Sequence, residues 1–326
     1  KYKTVNIHKF SSDFVRDFLN PTLKKYSDIG GKEPIETVLK NILENEGEIF
    51  SFETQGRKWF EIDDLNDLKI AEKIFLKKSL EEIRNLYGGY WRYDLLDFHY
   101  LINCHFPTKE MFEEIKEKLS ELIENYPSTQ RVIADSISKW KNKPYFNKEN
   151  LIVTNGSSEA IRALNQIIKK ITVPIPTFNE YVELPEEKIN YFLLSEENKF
   201  QLDIDKLISE IKKSGSDFTV INNPNNPIGN IASRQDIIKL LKTGVNLIVD
   251  EAFIDFSIED SVEDLVEKYK NLIIVKTVTK TMGLAGLRLG YILTTNEEIK
   301  DKIKKILPIW NINSIAEYFI EIFPKY

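Results

Sequence analysis

The 326-residue chain holds a single cysteine, Cys104, and three histidines, His8, His99 and His105. One thiol excludes an intrachain disulfide framework and a thiolate zinc cluster, and three scattered imidazoles leave little for a histidine-rich metal centre. The compartment reads as reducing, and the cytoplasm is the expected location. A net positive charge is missing too: 45 lysines and arginines face 51 acids for a formal net charge of −6, so nucleic acid phosphates are not an expected partner. Long apolar runs are missing. Stretches such as Asn271–Val275 are strand-sized and far below a bilayer span, so no membrane partner, anchor or signal peptide is expected. No internal repeat or low-complexity tract is visible. The whole chain is 42% hydrophobic and 29% charged, ordinary for a globular protein, and the length favours two units, with one large α/β unit as the alternative. The chain opens on Lys1 and closes on "EIFPKY" after an apolar helical pattern, so truncation at both ends is the expectation.

From about Leu151 onward, short β-branched runs ("LIVTN", "FTVINNP", "NLIVDEAF", "NLIIVKTVT") alternate with helical patterns. Continuous apolar runs separated by helices predict a mainly parallel sheet, whose ligands gather beyond the carboxyl ends of the strands. Upstream, "TKEMFEEIKEKLSELIE" predicts a helix with a threonine cap, and Gly88-Gly89 marks a joint.

Four clusters fall on the predicted strand ends. In "TNGSSEAIRAL", Gly156, Ser157 and Ser158 open a helix where free N–H groups and hydroxyls suit an anion; simple helix capping is the competing explanation. In "NNPNNPIGN", proline fixes a turn that either reverses the chain or aims an asparagine amide. In "LIVDEAF", Asp250 ends an interior strand, where an ionised carboxylate calls for a cation, unless it caps the next turn. In "TVTKTMGLAGLRLGYI", Lys280 follows an apolar strand and precedes a segment too hydrophobic for the surface, although most lysines are solvated. An amine held there loses proton affinity and becomes a nucleophile toward an aldehyde, while Thr277, Thr279 and Arg288 offer donors to a phosphate. An aldehyde, a phosphate and a protonated ring nitrogen together describe pyridoxal 5′-phosphate.

Those residues resemble the fold type I pyridoxal-phosphate aminotransferases, in the branch of histidinol-phosphate aminotransferase and threonine-phosphate decarboxylase. "VTNGSSEAI", "PIPTFNEY", "NNPNNPIGN", "IVDEAFIDF" and "TVTKTMGLAGLRLGY" occur in the family's order, over about 150 to 300. The resemblance implies an α/β fold, the large domain of that fold type. It also implies that Lys280 bonds the cofactor aldehyde and shuttles the substrate proton, and that Asp250 keeps the ring nitrogen protonated. Asn226 would bond the ring hydroxyl and Phe178 would stack on the ring. Gly156, Ser157, Ser158, Thr277, Thr279 and Arg288 would hold the phosphate. A homodimer is implied, with a small-molecule amino donor and acceptor. Three departures stand out: Phe253 occupies the family's usual tyrosine position, Phe106 stands where a tyrosine of the neighbouring subunit would reach the phosphate, and the small C-terminal domain appears absent.

The first seventy-odd residues resemble the end of a nucleotidyltransferase of the phosphocholine cytidylyltransferase type, in "YKTVNIHKFS" and "KWFEIDDLNDLKIAEKIF". That likeness implies Mg2+ held by Asp63, which a helix cap explains equally well. The expected division is a small α+β nucleotidyltransferase-derived segment at 1–78 and an aminotransferase large domain at 79–326. The expected function is an aminotransferase within a bifunctional cytidylyltransferase–aminotransferase acting toward a phosphonate or choline-like headgroup. The alternatives are a decarboxylase of a phosphorylated amino acid, or a nucleotidyltransferase on a non-catalytic scaffold.

Overall fold

A computed structural model describes residues 10–28, 35–44, 48, 50, 65–75, 85–86, 88–92, 100–258 and 261–326. By spatial contacts the chain divides into Lys1–His99 and Tyr100–Tyr326, C-terminal to the sequence division at 78/79. Asp63, the expected magnesium ligand, lies outside the described residues. The first unit, so far as it is described, is helical: Asn20–Asp28, Ile35–Glu44 and Leu65–Phe75 carry most of it, and Leu19, Val38, Leu39 and Ile42 form a small core. No strand occurs among its described residues, so the β component of the expected α+β segment is not found there.

The second unit is built on seven strands: β1 Leu151–Thr154, β2 Ile171–Ile175, β3 Ile189–Leu193, β4 Phe218–Asn222, β5 Asn246–Asp250, β6 Leu272–Thr277 and β7 Gly290–Leu293. Their order is β1-β7-β6-β5-β4-β2-β3. The pairs from β6 to β3 are parallel, while β7 runs antiparallel to both β1 and β6. The sheet is therefore mixed and mostly parallel. β7 reverses because the chain turns back onto the sheet directly after the lysine segment and pairs with the strand it has just left. Four of these strands follow from the apolar runs noted above; β2, β3 and β7 are additional.

Period-two alternation sorts the strands' side chains onto two covered faces. Leu247, Val249, Leu272, Ile274 and Tyr291 pack on one side, beneath helices Gln130–Lys141, Ile204–Ser214, Arg234–Leu241 and Ser314–Ile322. Ile248, Ile273, Val275, Val220 and Ile292 pack on the other, beneath helices Gly156–Ile167 and Glu297–Ile306. The helix Lys109–Glu124 begins as its sequence predicts, with the Thr108 hydroxyl accepting from the Met111 N–H at 3.3 Å. No helix among the described residues is long and apolar enough to cross a membrane.

Candidate active site

The residues singled out by the sequence gather at the carboxyl ends of strands: Gly156 to Ser158 after β1, Phe178 after β2, Asn226 after β4, Asp250 ending β5 and Thr277 ending β6. Alternation places Asn222, Asp250 and Thr277 on the same sheet face, the one covered by helix Gly156–Ile167.

The start of that helix forms one end of the site. Its N-cap is Asn155, whose side chain makes no capping bond, and neither Ser157 nor Ser158 occupies the capping position. Its first N–H groups can therefore serve an anion. Gly156 has φ 72°, and a Cβ on it would stand 2.5 Å from Nη2 of Arg288, so only glycine lets the guanidinium close over the helix start. Arg288 itself adopts φ 55°, a left-handed conformation costing an arginine on the order of 1 kcal/mol. The Thr277 and Thr279 hydroxyls lie 2.9 Å apart, and Thr277 donates to the Leu289 carbonyl at 3.0 Å. These donors, a guanidinium and a helix N-terminus are the complement of a phosphate.

At the other end, Asp250 is 2% exposed. Its Oδ1 accepts from the Ala252 N–H at 2.9 Å, so it does cap the following turn. Its Oδ2 accepts from the Tyr181 hydroxyl at 2.9 Å. Burial raises its pKa to about 6, against the pull of these donors and of the Asn222 side chain. Among the described residues no cation pairs with it, so a protonated ring nitrogen would supply the missing charge. Asn222 also accepts from the Asn226 N–H, which ties the asparagine-proline turn to Asp250. The Asn226 side chain is half-buried. Phe178 is half-buried at the head of the turn Asn179–Val182, three residues before Tyr181.

Lys280 is half-buried, and its Nζ lies 5.5 Å from the centroid of the Phe253 ring. Burial, with a smaller repulsion from Arg288, lowers its proton affinity. Its turn is strapped from a distant segment: Asn103 donates its N–H to the Lys280 carbonyl at 2.9 Å and its Nδ2 to the Thr281 carbonyl at 2.8 Å. Gly283, at φ 63°, rests against this strap, and a Cβ there would overlap the Phe106 and Asn103 carbonyls at 1.9 and 2.4 Å. The Phe106 ring packs edge-on against Phe323 at 5.7 Å and lies against the core.

Several functional-looking residues were not evident from sequence. Tyr181 and Asn222 contact Asp250, and Asn103 sets the lysine turn. Beneath the site, Lys276 is 2% exposed and pairs with Asp255 at 2.9 Å, Glu263 at 3.8 Å and Glu251 at 3.9 Å. Tyr291 donates to Glu263 at 2.6 Å. No group of three or more His, Cys, Asp and Glu among the described residues is disposed to hold a metal.

Residues 99–320 match the family model of class I and II aminotransferases. A CMP-5′-(3-aminopropyl)phosphonate synthase from Streptomyces rubellomurinus is 29% identical over 334 residues, covering 99% of this chain and 52% of that protein. An L-serine phosphate decarboxylase from Campylobacter jejuni is 33% identical, covering 64% of this chain and 56% of its own. The crystal structure of histidinol-phosphate aminotransferase from Clostridium acetobutylicum superimposes with a TM-score of 0.62 at 30% identity, covering 71% of this chain and 70% of that one. The chain spans about half the length of the curated relatives it matches.

Proposed function

Because the chain belongs to the class I and II aminotransferases, we propose that it transaminates a small amino compound, with Lys280 as the base that moves the substrate's α-proton. Pyridoxal 5′-phosphate is its cofactor. The observation that carries the reading is the pairing of a half-buried amine of lowered proton affinity with a buried, cation-free carboxylate and an anion cradle. Bound there, the cofactor supplies an aldehyde and an electron-withdrawing ring.

The chain's own residues divide the work. Gly156, Ser157, Ser158, Thr277, Thr279 and Arg288 would hold the phosphate through N–H, hydroxyl and guanidinium donors. Asp250 would pair with the ring nitrogen, Asn226 would donate to the ring oxygen and Phe178 would cover a ring face. Lys280 would hold the aldehyde. Its half-buried Nζ, whose proton affinity burial lowers, would accept the substrate's α-proton and return it. A homodimer is part of the proposal.

We further propose that this chain is part of a bifunctional cytidylyltransferase–aminotransferase, with Asp63 a magnesium ligand of the first segment. The support is the relative that covers 99% of the chain, first unit included, and whose name joins CMP to an amine-bearing phosphonate. A second reading, decarboxylation of a phosphorylated amino acid, is favoured by one contact: the Phe253 ring beside Lys280 offers no hydroxyl where the family's tyrosine would.

The test is a single-turnover reaction of the cofactor-loaded chain with a panel of amino acids, phosphorylated amino acids and aminoalkylphosphonates. Release of a keto acid or aldehyde with loss of the yellow cofactor band supports transamination. Release of carbon dioxide selects the second reading. Lys280→Ala should lower either reaction by at least about a thousandfold. A colourless protein that turns over CTP with magnesium would overturn both.

A further inference from the structure

We propose that Tyr181 is a positioning residue of the cofactor site: its buried hydroxyl, donated to Oδ2 of Asp250, keeps that carboxylate charged and fixed toward the cofactor's ring nitrogen. The inference rests on the reading that Asp250 faces that nitrogen.

Tyr181 is 0% exposed, and its hydroxyl is 2.9 Å from Oδ2. A buried phenol needs a polar partner, and donation to a carboxylate is the stronger kind of hydrogen bond. Burial pushes the Tyr181 phenol well above its ordinary range, with the Asp250 charge adding to it, so the group stays a donor throughout the working pH range. The turn that carries it is anchored to the helix of the anion cradle. Glu180 accepts from Arg162 at 2.9 Å through its carboxylate and from Asn165 at 3.1 Å through its carbonyl, and the Tyr181 N–H closes on the Phe178 carbonyl at 3.2 Å. One short turn thus sets both the aromatic residue proposed to cover the ring and the donor that orients its counter-charge. With Oδ1 held by Ala252, Asp250 has both oxygens engaged by neutral donors.

The surroundings isolate this contact. From β4 Asp250 meets the neutral Asn222, and its register partner on β6 is Val275. Lys280 and Arg288 are the charged groups of the turn after β6, and Glu251, Lys276, Glu263 and Asp255 form their own cluster on the opposite face.

Removing the hydroxyl withdraws a donor from the ionised form, so the pH at which Asp250 ionises should rise. The experiment measures the dissociation constant of pyridoxal 5′-phosphate for the full chain between pH 5.5 and 8.5, by absorbance titration, for wild type, Tyr181→Phe and Asp250→Asn. Binding by Tyr181→Phe should stay within about threefold of wild type at pH 8.5. Near pH 6.5 it should weaken about threefold, and toward pH 5.5 nearly tenfold, because a one-unit shift of the midpoint corresponds to about 1.4 kcal/mol below both midpoints. Asp250→Asn should bind weakly with no midpoint in this range. A 3-fluorotyrosine at position 181, a stronger donor of nearly unchanged size, should move the midpoint the other way, and it serves where Tyr181→Phe fails to fold. Profiles of Tyr181→Phe or of the fluorinated protein that superimpose on wild type, beside an Asp250→Asn profile that has lost its midpoint, overturn the role of Tyr181 alone. An Asp250→Asn profile identical to wild type overturns the placement of Asp250, and the present inference with it.

Discussion

Two neighbouring residues at the end of β5 meet opposite fates. Asp250 faces helix Gly156–Ile167, and Glu251 faces the other side of the sheet. Both are buried and both are pushed up by burial, to about 6 and about 7 respectively. Glu251 is answered from within the chain: the Ser261 hydroxyl and the Val262 N–H donate to it, and Lys276 lies 3.9 Å away. Burial alone would lower the proton affinity of Lys276, but the carboxylates of Glu263, Asp255 and Glu251 outweigh it and raise it. Asp250 has hydrogen-bond donors and, among the described residues, no cation. The difference teaches that a closed ionic cluster is a finished piece of architecture, whereas a buried carboxylate that no cation of the described residues meets, on the face that also carries the helix start and Arg288, marks the place proposed for a ligand.

The comparison can be broken most forcefully from the closed side. Lys276→Met leaves three carboxylates clustered without their cation, and should cost about 3–5 kcal/mol in chemical denaturation. If stability instead stays level while cofactor affinity collapses, the two faces are not separate in function. On the open side, the folded-state pKa of Asp250 is raised, so the folded chain binds more protons than the unfolded one between about pH 4 and 6. The contribution of this carboxyl group to the stability of the cofactor-free protein should fall as pH rises through that window and not return above it. Asp250→Asn should remove this slope, a difference of about 2–3 kcal/mol by pH 7 at 1.36 kcal/mol per unit. Parallel stability curves for the two proteins would mean that the carboxylate is already compensated. The smallest effect sharpens the picture of the cradle. Thr279→Val should weaken pyridoxal phosphate binding about tenfold, the value of one hydrogen bond to a charged group, and leave the melting point of the cofactor-free chain nearly unchanged.

How much of this was legible beforehand follows the same division. Asp250, Thr277 and Lys280 stand out because a polar residue ending an apolar run is conspicuous in one dimension, and a parallel sheet puts such ends on one edge. Tyr181 is not conspicuous: an aromatic after "PTFNE" reads as packing, and its partner lies 69 residues away in sequence. Lys276, inside "LIIVKTVT", gives no hint of being buried until Glu251, Asp255 and Glu263 arrive from separate segments. The reversal of β7 was hidden as well, because direction is decided by the turn that precedes a strand and not by its composition. Neither did "INCHFP" announce that Asn103 would brace the lysine turn, since an asparagine in a loop has many uses.

That brace bears on how the protein can be divided. A piece cut just before β1 would keep all seven strands, the anion cradle and Asp250, and by any inventory of motifs it would look whole. It would nevertheless lack Asn103, which pins the carbonyls of Lys280 and Thr281, and the surface against which Gly283 is moulded. The Lys280 amine would then sit on slack chain, so the smallest portion able to hold it in register starts upstream of the sheet, at the strap.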